Sequence, residues 1–411
     1  MTGNGIRYAA VASVGWVLLL VGCSDLTHNE RVDEAQQRWG HMRARVKLQL
    51  AERSFDSGAI EDALKQCNEV IRLDPEFVEG YLLATRIYLE KGENAKARAM
   101  LDAVLIRTPV SAQTFYLQGL IAEGQGRSDE ALNHYRDAYQ TAPDELDYLL
   151  TYVESLIAAD QCEEALAVIT PRRMDFSQTP AVHTLRGQVL SLMGRLTEAA
   201  ESYLLAVQLA PDNPLLREEA GVTALAAGCY EEAIETLLPL TRQQTGQLPR
   251  GQLPKPSVNT LRALGAAMLR AGKTRAAAQT LEQAVREYAE DTALWLMLAE
   301  AHLRSGDLMC AAAAADKAAE LEPDGVEPQL VLAYVALQTD RPQDAIDAAR
   351  RVLDRHPNDV EARALLARAL ERTPDGTAKA AEQYRRILAL VPNDPWTQRQ
   401  LQTIIQRPRT E

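Results

Sequence analysis

The stretch "GRSDEALNHYRDAYQTAPDE", residues Gly126–Glu145, returns as "GRLTEAAESYLLAVQLAPDN" at Gly194–Asn213. Gly, Ala, Tyr, Ala and Pro fall in the same places, and the offset of 68 residues is twice 34. A fixed period of this length is the signature of a repeat architecture. The step can be followed along the chain: Pro75, Pro109 and Pro143 are 34 apart, Pro211 lies two periods on, and Pro323 and Pro357 keep the interval. A small residue tracks them at Ala63, Ala97, Ala131, Ala165, Ala199 and Ala233, then resumes at Ala277, Ala311, Ala345 and Ala380.

Each mark has a physical job. Gly119, Gly187, Gly221 and Gly265, or Ala51, Ala299, Ala333 and Ala367, sit where a first helix meets a second at close range and a larger side chain would not fit. Gly58, Gly92, Gly126, Gly194, Gly228, Gly272 and Gly306 end the first helix, where a left-handed backbone costs glycine nothing. The tracking alanines lie inside the second helix, against its partner. Pro143–Asp144 and Pro211–Asp212 stop that helix and begin the next turn. Repeat four departs from the pattern, with Asp160 at the turn glycine and Ser177 at the late proline, and repeat ten carries one extra residue around Pro374–Gly376.

A 34-residue period with these marks resembles the tetratricopeptide repeat family over about residues 44–394. The resemblance implies an all-α fold, a right-handed superhelical solenoid of about ten helix pairs in which each repeat touches only its neighbours. Composition agrees: 46% hydrophobic and 25% charged residues suit a folded chain, and 5% aromatics suit close helix packing better than sheets. The expected organisation is residues 44–243 as repeats one to six, a Pro/Gly loop insertion at 244–257, and residues 258–394 as repeats seven to ten. A C-terminal capping helix and tail follow at 395–411. In that helix Trp396, Leu401, Ile404 and Ile405 form one apolar side to close the stack.

The N-terminus has a different character. Behind Arg7 the chain is apolar or small from Ala9 to Gly22, too short to span a bilayer comfortably but matching the apolar segment of a secretory signal. It ends in "LVGC", Leu20–Cys23, which resembles the lipobox of bacterial lipoproteins. The resemblance implies a signal peptide at 1–22, cleavage after Gly22 and a thioether-linked lipid on Cys23, with 23–43 leading in from the membrane. Ser24 stands where that family's inner-membrane retention signal places Asp, which implies the outer membrane, facing the periplasm.

Catalytic constellations are missing from the sequence. The six histidines include no HExxH and no pair at metal-ligand spacing, and no GxSxG occurs. "GQGRSDE" (Gly124–Glu130) lacks the Lys-Ser/Thr ending of a phosphate loop and reads as a repeat turn. Cys67, Cys162, Cys229 and Cys310 are far apart with no CxxC, which argues against a disulfide framework or zinc site. A net charge of −13 gives nucleic-acid binding no electrostatic support. The expectation is therefore a non-enzyme with no cofactor, metal or small-molecule substrate.

What remains is the inner groove. In the tetratricopeptide family the second, fifth, ninth and twelfth residues of each first helix line the concave surface. In the first four repeats the fifth positions are Leu48, Leu82, Tyr116 and Leu150, and the ninth are Glu52, Arg86, Leu120 and Glu154. Val222, Glu300 and Tyr334 hold ninth positions further on. The Lys and Asn that clamp a terminal carboxylate in chaperone-binding members are absent. The apolar residues either anchor a protein or peptide guest in the groove or pack between repeats. The functional expectation is a lipid-anchored envelope scaffold recruiting partners into an assembly of the pilus, exopolysaccharide-export or outer-membrane-assembly type. The alternative is a regulatory or positioning subunit of an envelope enzyme such as a peptidoglycan hydrolase or polysaccharide synthase.

Overall fold

A computed structural model describes residues 28–241 and 256–406, and among them all regular structure is α-helical. Cys23, the rest of the signal segment and residues 242–255 of the insertion lie outside the described residues. The chain divides into two compact units, 1–143 and 144–411.

The first unit contains α1 (His28–Asp56), α2 (Ile60–Leu73), α3 (Val78–Glu90), α4 (Asn94–Arg107), α5 (Ala112–Gly124) and α6 (Ser128–Thr141). These form three hairpins, with α3 packed on α1 and α2, and α5 packed on α3 and α4. Residues 28–43 of the lead-in and the first helix of repeat one are a single helix, which leaves Val32, Trp39, Met42 and Val46 exposed.

The second unit contains α7 (Leu146–Ala158), α8 (Cys162–Arg172), α9 (Pro180–Leu192), α10 (Leu196–Leu209), α11 (Pro214–Ala226) and α12 (Tyr230–Thr241). It continues with α13 (Val258–Arg270), α14 (Thr274–Glu287), α15 (Thr292–Ser305) and α16 (Leu308–Leu321). The last helices are α17 (Val326–Gln338), α18 (Pro342–Arg355), α19 (Val360–Glu371), α20 (Thr377–Leu390) and α21 (Pro395–Gln406). Successive helices pack on one another throughout the unit, and first helices also touch across repeats, as α13 does with α11 and α15.

The register expected from the 34-residue step holds in the packing. All ten tracking alanines, from Ala63 to Ala380, are buried. Close approach explains the glycines opposite them: a Cβ on Gly119 would meet the Tyr135 ring at 2.4 Å. The seven turn glycines all have positive φ, between 70° and 83°. Asp160 takes the same conformation at φ 58°, and so does Asp340 at φ 56°, a second substitution the sequence pattern did not flag. Aspartate tolerates this region because its short side chain hydrogen-bonds locally. Each such turn is locked by a bond from the following N–H to a carbonyl five residues back, as in Arg127 to Ala122 and Arg195 to Leu190, both 2.9 Å.

A second recurring device ties several of the turns to the next helix. The fourth residue of a first helix donates to the carbonyl six residues before it, at the helix stop. Tyr81 bonds to Pro75 at 3.1 Å, His183 to Ser177 at 3.1 Å, Trp295 to Ala289 at 2.8 Å and Gln329 to Pro323 at 3.0 Å. The donors differ in chemistry but meet one requirement, because a carbonyl orphaned by a helix stop needs a partner.

The described helices on either side of the 244–257 insertion pack on one another, and one expectation, in α21, is corrected. One core cluster runs from Ala200 through Leu237, Leu261 and Leu281 to Val335, because α13 packs directly on α11 and α12. In α21 the cap forms as read, with Asp394 accepting from Thr397 N–H at 3.0 Å. Ile404 is buried and Leu401 packs against the core, but Ile405 points to solvent. Adjacent residues are about 100° apart around a helix, so Ile404 and Ile405 cannot both face inward on so narrow a contact.

Candidate partner-binding face

The fifth and ninth residues of a first helix are four apart, about one turn, so they share a face. Leu48 is a correction to the sequence reading. It is only 8% exposed and belongs to the core of the first hairpins, with Ala44, Ala51, Ala63 and Leu83. The spacing explains it, since Ala44, Leu48 and Ala51 fall at i, i+4 and i+7, the stripe that α1 turns inward.

The remaining fifth positions stand on the shoulder of the core. Leu82, and with it the ninth-position Leu120, is half-buried against the cluster of Tyr81, Leu101 and Val104. Tyr116 is half-buried with its ring 5.9 Å from that of Tyr135. Leu150 is half-buried on α7, in the second unit. The apolar stripe is thus mainly packing with exposed edges. The charged ninth positions Glu52, Arg86 and Glu154 are exposed, and the Arg86 guanidinium lies 5.3 Å over the Phe55 ring. That stacking holds the cation in place beside an apolar surface.

In the second unit the same positions open further. Val222 and Tyr334 are 42% and 43% exposed. Tyr334 and Glu300, ninth residues of adjacent repeats, border a hollow of about 300 Å³ completed by Leu303, Arg304, Leu308 and Gln338. Arg304 is fixed across it by Glu300 at 2.6 Å and by the Leu269 carbonyl at 2.9 Å. An aromatic rim, a leucine floor and an anchored ion pair can seat one apolar side chain of a guest and orient its backbone.

The buried titratable groups are built for packing. Burial, reinforced by Glu52, pushes the Cys67 thiol up to about 12, so it stays protonated and inert. Burial first, then a hydrogen bond to a glutamate, raises the Tyr135, Tyr203 and Tyr384 hydroxyls above the ordinary tyrosine range. Tyr203 donates to Glu219 and Tyr384 to Glu371, both at 2.6 Å. The structure also gathers donors that spacing alone did not suggest. Ligand atoms of His302, Asp307 and Cys310, at the turn between α15 and α16, all lie within 4.8 Å of one another.

A family model described as tetratricopeptide repeat matches residues 81–145, 262–326 and 330–395. Two further models of the same description match residues 122–189 and 180–213. No curated protein matches the chain in sequence. Among solved structures, the C-terminal part of a TPR repeat-containing protein from Cytophaga hutchinsonii is 18% identical, with a TM-score of 0.47 over 60% of this chain and 97% of that one. YrrB, "a TPR protein with an unusual peptide-binding site", is 18% identical, with a TM-score of 0.34 over 41% of this chain and 88% of its own. MamA MSR-1 C2 is 18% identical, with a TM-score of 0.37 over 44% of this chain and 97% of its own. With matched repeats over more than half its length and helix pairs in the expected register, the chain belongs to the tetratricopeptide repeat family.

Proposed function

We propose that this protein is a non-catalytic interaction scaffold, anchored by lipid on Cys23 in the bacterial cell envelope, at the outer membrane facing the periplasm, that recruits partners into an envelope assembly. The observation that carries the binding part is the hollow between Glu300 and Tyr334, at the positions through which tetratricopeptide repeats hold peptides. The anchoring part rests on "LVGC" at Leu20–Cys23. Several buried acyl chains, at about 0.8 kcal/mol per CH₂, would make such anchoring effectively permanent.

The two parts are tested separately. Mass spectrometry of the mature N-terminus should find a lipid-modified Cys23, and Cys23→Ala should leave the membrane fraction. An unmodified peptide running through Gly22 and Cys23 removes the anchor. For the groove, a photo-crosslinker at Tyr334 in cells should capture a defined partner, and one at exposed Ala99 should not. Equal capture from both positions refutes the groove. A captured peptidoglycan hydrolase or polysaccharide synthase would turn the assembly role into that of an enzyme-positioning subunit.

A further inference from the structure

The turn between α15 and α16 departs from the repeat in a concerted way. At the step of the repeat, the place of His302 is held by buried Ala122, Leu156, Leu190, Ala224, Met268, Ala336 and Leu370, and in the first two repeats by half-buried Ser54 and Tyr88. His302 is deeply placed, at 6% exposure. The place of Cys310 is held in most repeats by a charged residue such as Glu130, Glu164 or Glu198. An imidazole where the frame wants an alkyl group costs packing, and a thiol where it wants a charge gives up solvation. Neither change serves the hairpin.

Both departures converge on one point. The ligand atoms of His302, Asp307 and Cys310 lie within 4.8 Å of one another, across the turn made by Gly306 at φ +83°. Outside that trio, Glu282 Oε1 on α14 of the preceding repeat is 3.5 Å from His302 Nε2, and a change of side-chain rotamer would be needed for it to serve as a fourth donor. With metal–nitrogen and metal–oxygen bonds of about 2.0–2.2 Å, two ligands of a tetrahedral zinc ion stand roughly 3.3–3.6 Å apart. The His302–Glu282 edge already has that length. Asp307 Oδ1 accepts from the Cys310 N–H at 3.2 Å, which fixes the carboxylate as the cap of α16. The main chain beneath His302 is also held, because its carbonyl accepts from Asp307 N–H at 2.9 Å and Ser305 Oγ at 3.0 Å. Cys310 is exposed, and its thiol already hydrogen-bonds to the Asp307 carboxylate that a metal would share with it. Arg304, the nearest cation in sequence, is tied to Glu300 and Leu269.

We propose that His302, Asp307, Cys310 and Glu282 form a binding site for a divalent transition-metal ion of the zinc type. One nitrogen, one sulfur and two carboxylate oxygens suit zinc, whereas magnesium and calcium prefer oxygen alone. Binding converts the Cys310 thiol to thiolate and releases its proton to solvent, and the ion's charge offsets three anionic ligands. A metal here pins α14, α15 and α16 together, bridging two adjacent repeats.

The test uses the full chain, free of affinity tags, titrated with Co²⁺ as a spectroscopic stand-in for zinc. One equivalent should give a thiolate-to-cobalt charge-transfer band with tetrahedral visible absorption, and Zn²⁺ should bleach both. Cys310→Ser should abolish the charge-transfer band. His302→Leu, which installs the residue that other repeats carry and so preserves folding, should weaken affinity by roughly tenfold or more. Asp307→Asn keeps the helix cap and should weaken binding by removing a charged ligand. Absence of the band at millimolar Co²⁺ overturns the site. So does a band that survives in Cys310→Ser, because the thiolate would then belong to another cysteine.

Discussion

Replacing Gly119 by alanine tests the helix–helix contact on which the whole repeat register rests. The new Cβ would stand 2.4 Å and 2.5 Å from two ring carbons of Tyr135, against an ordinary carbon–carbon contact of about 3.5–4.0 Å. The ring cannot easily yield, because Tyr135 is 2% exposed and its hydroxyl donates to Glu123 at 2.5 Å. Overpacking of this kind costs about 1–3 kcal/mol. Alanine is also the better helix former by about 1 kcal/mol, so the net loss should be up to roughly 2 kcal/mol. In a Tyr135→Ala background the overlap is gone and only the propensity gain remains. Gly119→Ala should then stabilise by up to about 1 kcal/mol. This reversal of sign is the decisive result. Hydrogen exchange of the α5 and α6 amides is the suitable assay, since a repeat array opens locally and a single melting curve averages over it. A Gly119→Ala effect that is equal in both backgrounds would refute the close-contact reading.

Three further outcomes follow from other parts of the molecule. Ala131→Arg should destabilise by about 3 kcal/mol or more by forcing a charge into the α5–α6 contact, whereas Ala99→Arg, on the exposed side of α4, should stay within about 0.5 kcal/mol; equal melting of the two would mean the register is wrong. The tyrosine contribution to stability should be flat up to the ordinary tyrosine value of about 10 and then fall as pH rises, by at most about 1.4 kcal/mol per pH unit per tyrosine. The reason is that Tyr135, Tyr203 and Tyr384 stay protonated when folded while the unfolded hydroxyls ionise. Changing all three to Phe should flatten that slope, and an unchanged slope would assign it to other groups. Under native conditions at pH 8 a thiol reagent should label exposed Cys310 and spare buried Cys67, as mapped by mass spectrometry; rapid labelling of Cys67 would contradict its burial and raised pKa.

The frame was legible in the sequence because each of its marks answers a backbone demand. A left-handed turn asks for glycine, a helix stop for proline, and a close crossing for alanine, so the period could be read from residue types alone. Where a demand has more than one chemical answer, the reading failed. Asp340 supplies the left-handed turn without glycine. Tyr81, His183, Trp295 and Gln329 all donate to the same class of carbonyl, which no single residue type would reveal. Proline and glycine at 244–257 say nothing about whether the flanking helices touch, and α12 and α13 do.

The candidate groove was harder to read because a leucine on a first helix has the same sequence whether it faces water or a neighbouring repeat. Leu48 and Leu82 occupy equivalent positions, yet one is core and the other is half-exposed. Burial at the fifth position depends on the size of the residues around it in adjacent helices, which a single repeat does not contain. Ninth positions are more informative, since charged residues such as Glu52, Arg86 and Glu154 are seldom placed where they would be buried without partners. An aromatic at such a position, as with Tyr334, then stands out against its own register. The same logic applies at the turn between α15 and α16. The sequence reading looked for histidines near histidines and found none. Comparison of each repeat with its siblings instead shows His302 as the one histidine at a mostly apolar position and Cys310 as the one cysteine at a mostly charged one. In a repeat protein the equivalent positions in the other repeats report what folding requires at that place. A residue that departs from them at a cost in packing is therefore retained for something other than the fold.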